Sequence, residues 1–269
     1  MRDDLLIKIC GITNEPDALL AVGLGADALG FVLAPSPRQV APSVASDIVK
    51  RLPHDVLTVG VFRDEAPTRV VEIANTVGFG AVQLHGHESA EQCRWIRERV
   101  SCTIRAFRAG DRAIARFFEF GADYLLVDGQ SPGSGQVFDW RLAEGVVDPG
   151  RMFVSGGLTP ENVGDAIAAL RPRGVDVASG VESVPGAKDP QRLRAFIRNA
   201  RAAAAVAGPS GYGRVEHADL VGHGEHVGHG GGHAGAHAGG GGGDASTGAV
   251  SDAFPPGAPE EAPYDWMEG

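Results

Sequence analysis

Short apolar runs alternate with amphipathic segments along residues 1–207 of the chain. Eight of these runs predict β-strands; they cover residues 5–10, 27–33, 56–62, 80–85, 102–107, 123–128, 151–157 and 174–180. The segments between them show helical spacing of apolar residues, and several end in glycine, which often follows the last helical turn. Repeated alternation of strand and helix predicts parallel strands that are joined by right-handed crossovers.

The number of strand–helix units predicts the fold, whose class is α/β. Eight units within residues 1–207 suit a compact (β/α)8 TIM barrel. The alternative is an open doubly wound sheet, which usually has fewer units and often carries a G-x-G-x-x-G turn after its first strand. No such turn follows residues 5–10, so the sequence favours the barrel.

The composition changes after Ala207. Residues 208–269 are rich in Gly, His, Pro and acidic residues, and such a segment cannot bury enough apolar surface to offset the entropy of ordering. Nine acidic residues and a single arginine give this part a charge of −8, out of −10 for the whole chain. We therefore expect a barrel domain at residues 1–207 and a disordered, low-complexity tail at residues 208–269.

Composition argues against several classes of protein. The N-terminus lacks a basic segment followed by a long apolar stretch, so no secretory signal is expected. No run approaches the roughly 18 apolar residues that suggest a membrane span. Three irregularly spaced cysteines indicate a reducing compartment, which favours the cytoplasm over a disulfide-forming environment. The acidic balance argues against nucleic acid as a partner.

Two glycine-containing loops follow the seventh and eighth predicted strands. The first is SGGL at residues 155–158, which precedes a predicted helix start at Thr159, and the second is SGVE at residues 179–182. Glycines let backbone N–H groups approach an anion closely, and the loops after these strands form the usual phosphate site of the barrel fold. We therefore expect phosphate binding by Gly156, Gly157, Ser179 and Gly180. Ordinary tight turns are the alternative.

Lys8, Cys10 and Asp128 are the candidate acid–base residues. Strand alternation puts Lys8 and Cys10 on the face that points into the barrel, while Ile7 and Ile9 point toward the helices. A nearby ammonium favours thiolate, so Lys8 is expected to lower the pKa of Cys10 from its usual value of about 8.5. Partial desolvation of Asp128, at the end of an apolar strand, is expected to raise its pKa and favour the protonated acid. Such a pair suits proton abstraction next to a carbonyl or imine, whereas a buried structural thiol is the alternative for Cys10.

Other residues carry weaker signals. Arg38 lies in the proline-containing loop APSPRQV and is a candidate for binding a carboxylate, with a solvated surface charge as the alternative. His85, at the end of the fourth strand, suits a structural or substrate-positioning role. The segment GQSPGSGQVFDW at residues 129–140 is a candidate lid over a bound ligand or a plain connection. Cys93 and Cys102 are expected to be structural.

Six parts of the chain resemble the phosphoribosylanthranilate isomerase family of tryptophan biosynthesis. They are KICGIT, GFVLAPSPR, VQLHG, LLVDG with GSGQVFDW, SGGLTPENV, and DVASGVES with GAKD, and they occur in family order across about residues 5–200. The resemblance implies an isomerase that converts N-(5'-phosphoribosyl)anthranilate to 1-(2-carboxyphenylamino)-1-deoxyribulose 5-phosphate by an Amadori rearrangement. It implies no metal ion and no organic cofactor.

The resemblance also implies roles for individual residues. Asp128 is expected to be the general acid that opens the furanose ring, and Cys10 the general base that removes the C2' proton. Arg38 is expected to hold the anthranilate carboxylate. The expected substrate-binding residues are Lys8, Arg38, His85, Gly156, Gly157, Asp176, Ser179 and Gly180. The chain departs from the family pattern at Gln136, Val137 and Ala178, which bears on loop closure and phosphate contacts.

Two alternative functions remain open. One is another sugar-phosphate barrel isomerase or epimerase; the histidine-pathway isomerase is expected to use two aspartates and the epimerases a metal, so Cys10 argues against both. The other is loose, pH-dependent metal binding by the tail, with a neutral extension as its alternative. The tail histidines are His217, His223, His226, His229, His233 and His237. The sequence leaves the oligomeric state open between a monomer and a homodimer.

Overall fold

A closed barrel of eight parallel strands forms the centre of the molecule. The structure is a computed structural model, and it describes residues 5–129 and 149–207. The barrel strands are β1 (Leu6–Ile9), β2 (Ala28–Val32), β3 (Leu57–Phe62), β4 (Ala81–Leu84), β5 (Thr103–Arg108), β6 (Tyr124–Asp128), β7 (Met152–Ser155) and β8 (Gly174–Val177). Every predicted strand is therefore present, and the pairing of β8 with β1 excludes the open sheet.

Seven α-helices accompany the strands of the described chain. They are α1 (Glu15–Gly23), α2 (Pro42–Val49), α3 (Pro67–Val77), α4 (Ala90–Arg97), α5 (Phe117–Phe120), α6 (Val163–Leu170) and α7 (Pro190–Ala207). Local sequence explains several boundaries. Asn14 caps α1, and Ser89 forms a capping box with Gln92 at the start of α4. Gly78 ends α3 in the left-handed conformation, which glycine adopts without steric strain.

Two apolar layers pack against the two faces of the barrel wall. One fills the barrel interior and the other lies between the strands and the helices. Ile7 and Ile9 belong to the outer layer, whereas Cys10 belongs to the inner one and Lys8 is fully buried. The predicted orientation of β1 is therefore confirmed, and it follows from strand alternation alone.

The structure differs from the sequence prediction at the start of α6. The helix begins at Val163, four residues after the predicted start at Thr159. The side chain of Asn162 accepts a hydrogen bond from the backbone N–H of Thr159, and the Thr159 hydroxyl accepts one from the N–H of Glu161. These bonds stabilise a turn before the helix, because short polar side chains compete with helical hydrogen bonds.

Several elements follow β8 that periodicity did not predict. A 3-10 helix at Ser179–Val181 leads into β9 (Glu182–Val184), which pairs antiparallel with β10 (Ala187–Lys188). In the parts of the chain that the structure describes, no helix is long and apolar enough to cross a membrane. The candidate lid after Gly129 and the predicted tail lie outside the described residues, so the expected domain boundary stays a prediction.

Candidate active site

The carboxyl ends of the barrel strands bring the predicted site residues to one face. Cys10 follows β1, His85 follows β4, and Asp128 is the last residue of β6. The two predicted phosphate loops follow β7 and β8 on the same face. Parallel strands in a closed barrel all end on this side, which is where barrel enzymes carry their active sites.

Lys8 and Asp176 form a buried ion pair beneath Cys10. The two residues are register partners on β1 and β8, and the Lys8 Nζ donates to the Asp176 Oδ1 over 2.9 Å. A Cβ added at Gly30 would lie 2.8 Å from the Cys10 Sγ and 3.0 Å from the Lys8 Nζ. Glycine at this position on β2 therefore leaves room for the thiol and the ammonium to lie side by side. Both side chains are buried, and their expected contact with a substrate stays a prediction.

The environment of Cys10 raises its pKa. Burial makes the largest contribution, since a thiolate is poorly solvated there, and the Asp176 carboxylate acts in the same direction. The Lys8 ammonium lowers the pKa of Cys10, as predicted, but does not outweigh burial. The predicted effect of Lys8 is therefore confirmed, whereas the net rise was not predicted, because sequence alone did not reveal how deeply the thiol is buried. The pKa of Lys8 is itself raised, because Asp176 and Cys10 together outweigh its burial.

A short hydrogen-bonded chain leads to Asp128. The His85 Nε2 lies 3.3 Å from the Asp128 Oδ2, and both side chains are largely buried. The Gln83 Nε2 lies 2.9 Å from the other ring nitrogen, Nδ1 of His85. The His85 ring thus lies between the Gln83 amide and the Asp128 carboxyl group, and it can carry its proton on either nitrogen. Sequence reasoning missed Gln83, although alternation from His85 along β4 could have placed it inside the barrel.

The two glycine loops lie against each other and against Asp128. Gly156 and Gly157 have φ values of +85° and +65°, which strongly favour glycine. A Cβ at Gly156 would lie 2.6 Å from the Asp128 Oδ1. A Cβ at Gly180 would overlap the carbonyl oxygen of Leu158. Close packing therefore requires glycine at both Gly156 and Gly180, and the positive φ adds a conformational requirement at Gly156.

Arg38 is buried and bound to Glu182. Its Nε lies 3.0 and 3.1 Å from the two carboxylate oxygens, and its Nη2 lies 2.8 Å from Oε2. The side chain crosses Gly11, where an added Cβ would lie 2.7 Å from the Arg38 Cδ. A solvated surface charge is therefore excluded for Arg38. Glu182 is the last residue of the SGVE loop, and the sequence predicted no role for it, because its partner Arg38 lies 144 residues away in the chain.

Cys93 and Cys102 are free, buried thiols, as predicted for structural residues. Burial is the main cause that raises the pKa of each to about 12, which keeps both protonated near neutral pH. Within residues 5–129 and 149–207, no group of three or more His, Cys, Asp or Glu side chains is arranged to hold a metal ion.

The closed barrel, with its polar cluster at the carboxyl ends of the strands, defines the class of (β/α)8 barrel enzymes. The model for the family described as N-(5'-phosphoribosyl)anthranilate (PRA) isomerase matches residues 7–199. The chain belongs to this family, and it is an isomerase of tryptophan biosynthesis.

Individual relatives agree with this assignment. The N-(5'-phosphoribosyl)anthranilate isomerase of Desulforudis audaxviator is 51% identical over 205 residues, which are 74% of this chain and 98% of the relative. A phosphoribosylanthranilate isomerase solved with reduced 1-(o-carboxyphenylamino)-1-deoxyribulose 5-phosphate has 42% identity and a TM-score of 0.66, covering 74% and 99% of the two chains. Monomers generated from the dimeric isomerase of Thermotoga maritima have 41% identity and a TM-score of 0.66, with the same coverage.

Proposed function

We propose that the chain catalyses the Amadori rearrangement of N-(5'-phosphoribosyl)anthranilate, with Asp128 as general acid and Cys10 as general base. The observation that carries this proposal is the placement of both groups at one barrel mouth, each with its own polar partner. The structure of a relative at 42% identity, solved with a reduced form of the product, supports the choice of substrate. The resulting product is 1-(2-carboxyphenylamino)-1-deoxyribulose 5-phosphate.

The first step opens the furanose ring. The Asp128 carboxyl donates its proton to the ring oxygen, the bond from C1' to that oxygen breaks, and the nitrogen lone pair forms an iminium with C1'. Asp128 becomes a carboxylate, and the His85 ring, whose Nε2 lies 3.3 Å from the Asp128 Oδ2, is positioned to stabilise it by donating a hydrogen bond.

The second step moves the proton from C2'. The Cys10 thiolate removes it, the C2'–H electron pair forms the C1'–C2' double bond, and the iminium nitrogen regains its lone pair. The resulting enol becomes the ketone when the Cys10 thiol returns its proton to C1' and the Asp128 carboxylate takes the proton of the enol oxygen. Lys8 supports the reaction by offsetting part of the burial that disfavours the thiolate. Both enzyme groups regain their starting protonation, so the rearrangement is a net isomerisation.

Binding of the substrate divides between two ends of the site. The glycine loops after β7 and β8 lie together, and their backbone N–H groups suit the 5'-phosphate. Arg38 suits the anthranilate carboxylate, because a guanidinium can bind a carboxylate through two parallel hydrogen bonds. Its ion pair with Glu182 fixes the side chain before substrate arrives.

We therefore expect Arg38→Ala to weaken substrate binding more than turnover.

The activity can be tested with the purified full chain. Fluorescence should report rapid consumption of N-(5'-phosphoribosyl)anthranilate without an added metal ion or cofactor. The aminoaldose of the histidine pathway and a pentose phosphate that epimerases use serve as parallel substrates, and neither should be consumed at a comparable rate. Preference for either of them would assign the chain to another sugar-phosphate reaction and would overturn the proposal.

A further inference from the structure

Lys188 is a buried ammonium that does not belong to the acid–base pair. Its Nζ lies 2.6 Å from the Cys10 carbonyl oxygen, 2.8 Å from the Glu182 Oε1 and 3.4 Å from the Ala178 carbonyl oxygen. The side chain is 0% exposed. An ammonium has three donors, so these three acceptors match its hydrogen-bonding capacity.

The position of this ammonium in the fold is informative. The barrel strands β1 and β8 end at Ile9 and Val177, so Cys10 and Ala178 are the first residues beyond the two strands. The Lys188 side chain then joins the carbonyl groups of these two residues. The N–H of Cys10 donates to the Val177 carbonyl oxygen over 2.8 Å, and Lys188 binds the carbonyl oxygen of Cys10 itself. A side chain therefore completes the support of the backbone that carries the Cys10 thiol.

Glu182 connects this ammonium to Arg38. One carboxylate accepts from both the Lys188 Nζ and the Arg38 guanidinium. Burial raises the pKa of Glu182, but Arg38 and Lys188 outweigh burial and leave the pKa below its usual value. Burial lowers the pKa of Lys188, and Glu182 opposes that lowering. Each member of the network thus helps the next to stay charged in a buried place.

We propose that Lys188 is a positioning residue for Cys10, and that Glu182 couples it to Arg38. A single buried network, Arg38–Glu182–Lys188, then fixes the positions of two groups. They are the thiol that removes the C2' proton and the guanidinium that holds the substrate carboxylate. The inference deepens the proposed function and rests on it. Its physical basis is that proton transfer depends steeply on the distance and alignment of the base.

Arg201 on α7 provides a matched control, because it binds the backbone at the amino end of β1, opposite the end that carries Cys10. It donates to the carbonyl oxygens of Leu5 and Gly25 and pairs with Asp27, so it also joins a cation, two backbone carbonyls and a carboxylate. These residues lie at the amino ends of β1 and β2, away from the strand ends that carry the site. Arg201→Met should therefore lower stability but leave catalysis unchanged.

The test compares the wild type, Lys188→Met, Glu182→Gln and Arg201→Met in the full-length chain. The readouts are kcat, KM, the melting temperature and the isotope effect on kcat with substrate deuterated at C2'. Lys188→Met should lower kcat about tenfold or more and raise the isotope effect, because misplacement by about 1 Å can slow a reaction about 10²-fold. Glu182→Gln should lower kcat and also raise KM, through Arg38. Arg201→Met should change neither kcat nor the isotope effect.

Two outcomes would overturn the inference. One is a kcat and an isotope effect for Lys188→Met within about twofold of the wild type, a far smaller change than misplacement of a base produces. The other is an equal loss of kcat in Arg201→Met with no change in isotope effect for either variant. If Lys188→Met does not fold, Lys188→Gln, which keeps an amide donor, is judged by the same criteria. Cys10→Ser separates the two proposals. Near-normal turnover by Cys10→Ser would contradict the assignment of Cys10 as the general base. An inactive Cys10→Ser together with a normal Lys188→Met would contradict only the positioning role of Lys188.

Discussion

At the scale of single residues, the chemistry depends on a thiol whose surroundings oppose its ionisation. Burial and Asp176 raise the pKa of Cys10, and the ammonium of Lys8 works against them. Alternation along β1 was enough to predict that Lys8 and Cys10 share the interior face. It was not enough to predict the ion pair between Lys8 and Asp176, because that pair depends on the register of β1 against β8, which only barrel closure sets.

The role of Lys8 can be measured with the double variant Lys8→Met/Asp176→Asn, which removes the ion pair without leaving one charge buried alone. The rate should follow the thiolate fraction, so kcat/KM should rise with pH above neutral in the wild type. Loss of the Asp176 carboxylate lowers the pKa of Cys10, but loss of the Lys8 ammonium raises it by more, because Lys8 has the larger effect on this thiol. The rising part of the profile should therefore move to higher pH, with lower kcat/KM at about pH 7.5. The measurement is a pH profile of kcat/KM between about pH 6.5 and 10.

The exposed Lys50 supplies the control for this profile, because its side chain is 70% exposed and lies outside the site. Lys50→Met should leave the profile unchanged. An unshifted profile in the double variant would mean that the support of the Cys10 thiolate by Lys8 does not exceed the opposing effect of Asp176.

At the scale of elements, the loops that end the strands form the site, and they were the least predictable parts. Strand positions followed from runs of apolar residues, since buried strands have a simple pattern. The hairpin of β9 and β10 was not predicted, because strands of three and two residues are too short to show a period. Lys188 lies on this hairpin, so its contact with Cys10 could not be inferred from sequence spacing. The turn before α6 was missed because polar side chains replaced the expected helix start.

The contact between the two glycine loops predicts the effect of Gly180→Ala. The new Cβ would overlap the Leu158 carbonyl oxygen and push the loops apart. We expect KM to rise about tenfold or more and inhibition by inorganic phosphate to weaken, with a smaller change in kcat, because a phosphate site depends on closely placed backbone N–H groups. Steady-state kinetics with phosphate as inhibitor provide the measurement.

Gly23→Ala is the matched control for this loop variant, since nothing lies within 4 Å of a Cβ added at Gly23. It should leave KM and phosphate inhibition unchanged. Equal phosphate inhibition of Gly180→Ala and the wild type would remove these loops from the phosphate site.

Burial of Cys93 on α4 predicts a pH dependence of stability. Its pKa is about 12 in the folded chain against an ordinary value of 9.0, so the folded state holds the thiol proton more tightly than the unfolded state. This contribution is complete below about pH 9 and is lost as the pH rises toward 12, and the loss by pH 10 is about 1 kcal/mol. Cys93→Ala should lower the free energy of unfolding at pH 7.5 through lost packing but reduce its fall between pH 7.5 and 10. Urea titrations at the two pH values measure both effects, and an unchanged fall would contradict the assignment.

At the scale of the whole molecule, the count of strand–helix units was sufficient to predict a closed barrel. The last helix, α7, runs to Ala207, where the composition changes and the described residues end. We propose that residues 1–207 contain all that the reaction needs. The purpose of residues 208–269 could not be predicted, because a low-complexity sequence encodes no fixed arrangement of side chains.

Truncation after Ala207 should therefore leave kcat and KM within about twofold of the full chain and leave the melting temperature almost unchanged, because a sequence so poor in large apolar residues is expected to add little to folding. Calorimetric titration with Zn²⁺ or Ni²⁺ on the two chains should show whether the tail histidines bind metal. A large loss of activity on truncation would place part of the catalytic machinery beyond residue 207.

The central claim is that Cys10 and Asp128 carry out the isomerisation, and the most direct measurement is turnover of N-(5'-phosphoribosyl)anthranilate by the wild type beside Cys10→Ser and Asp128→Asn. Each variant should lose about 10²-fold or more in kcat, as expected for removal of a general base or acid, while its melting curve shows an intact fold. Near-normal turnover by a folded Cys10→Ser or Asp128→Asn would contradict the assignment of that residue.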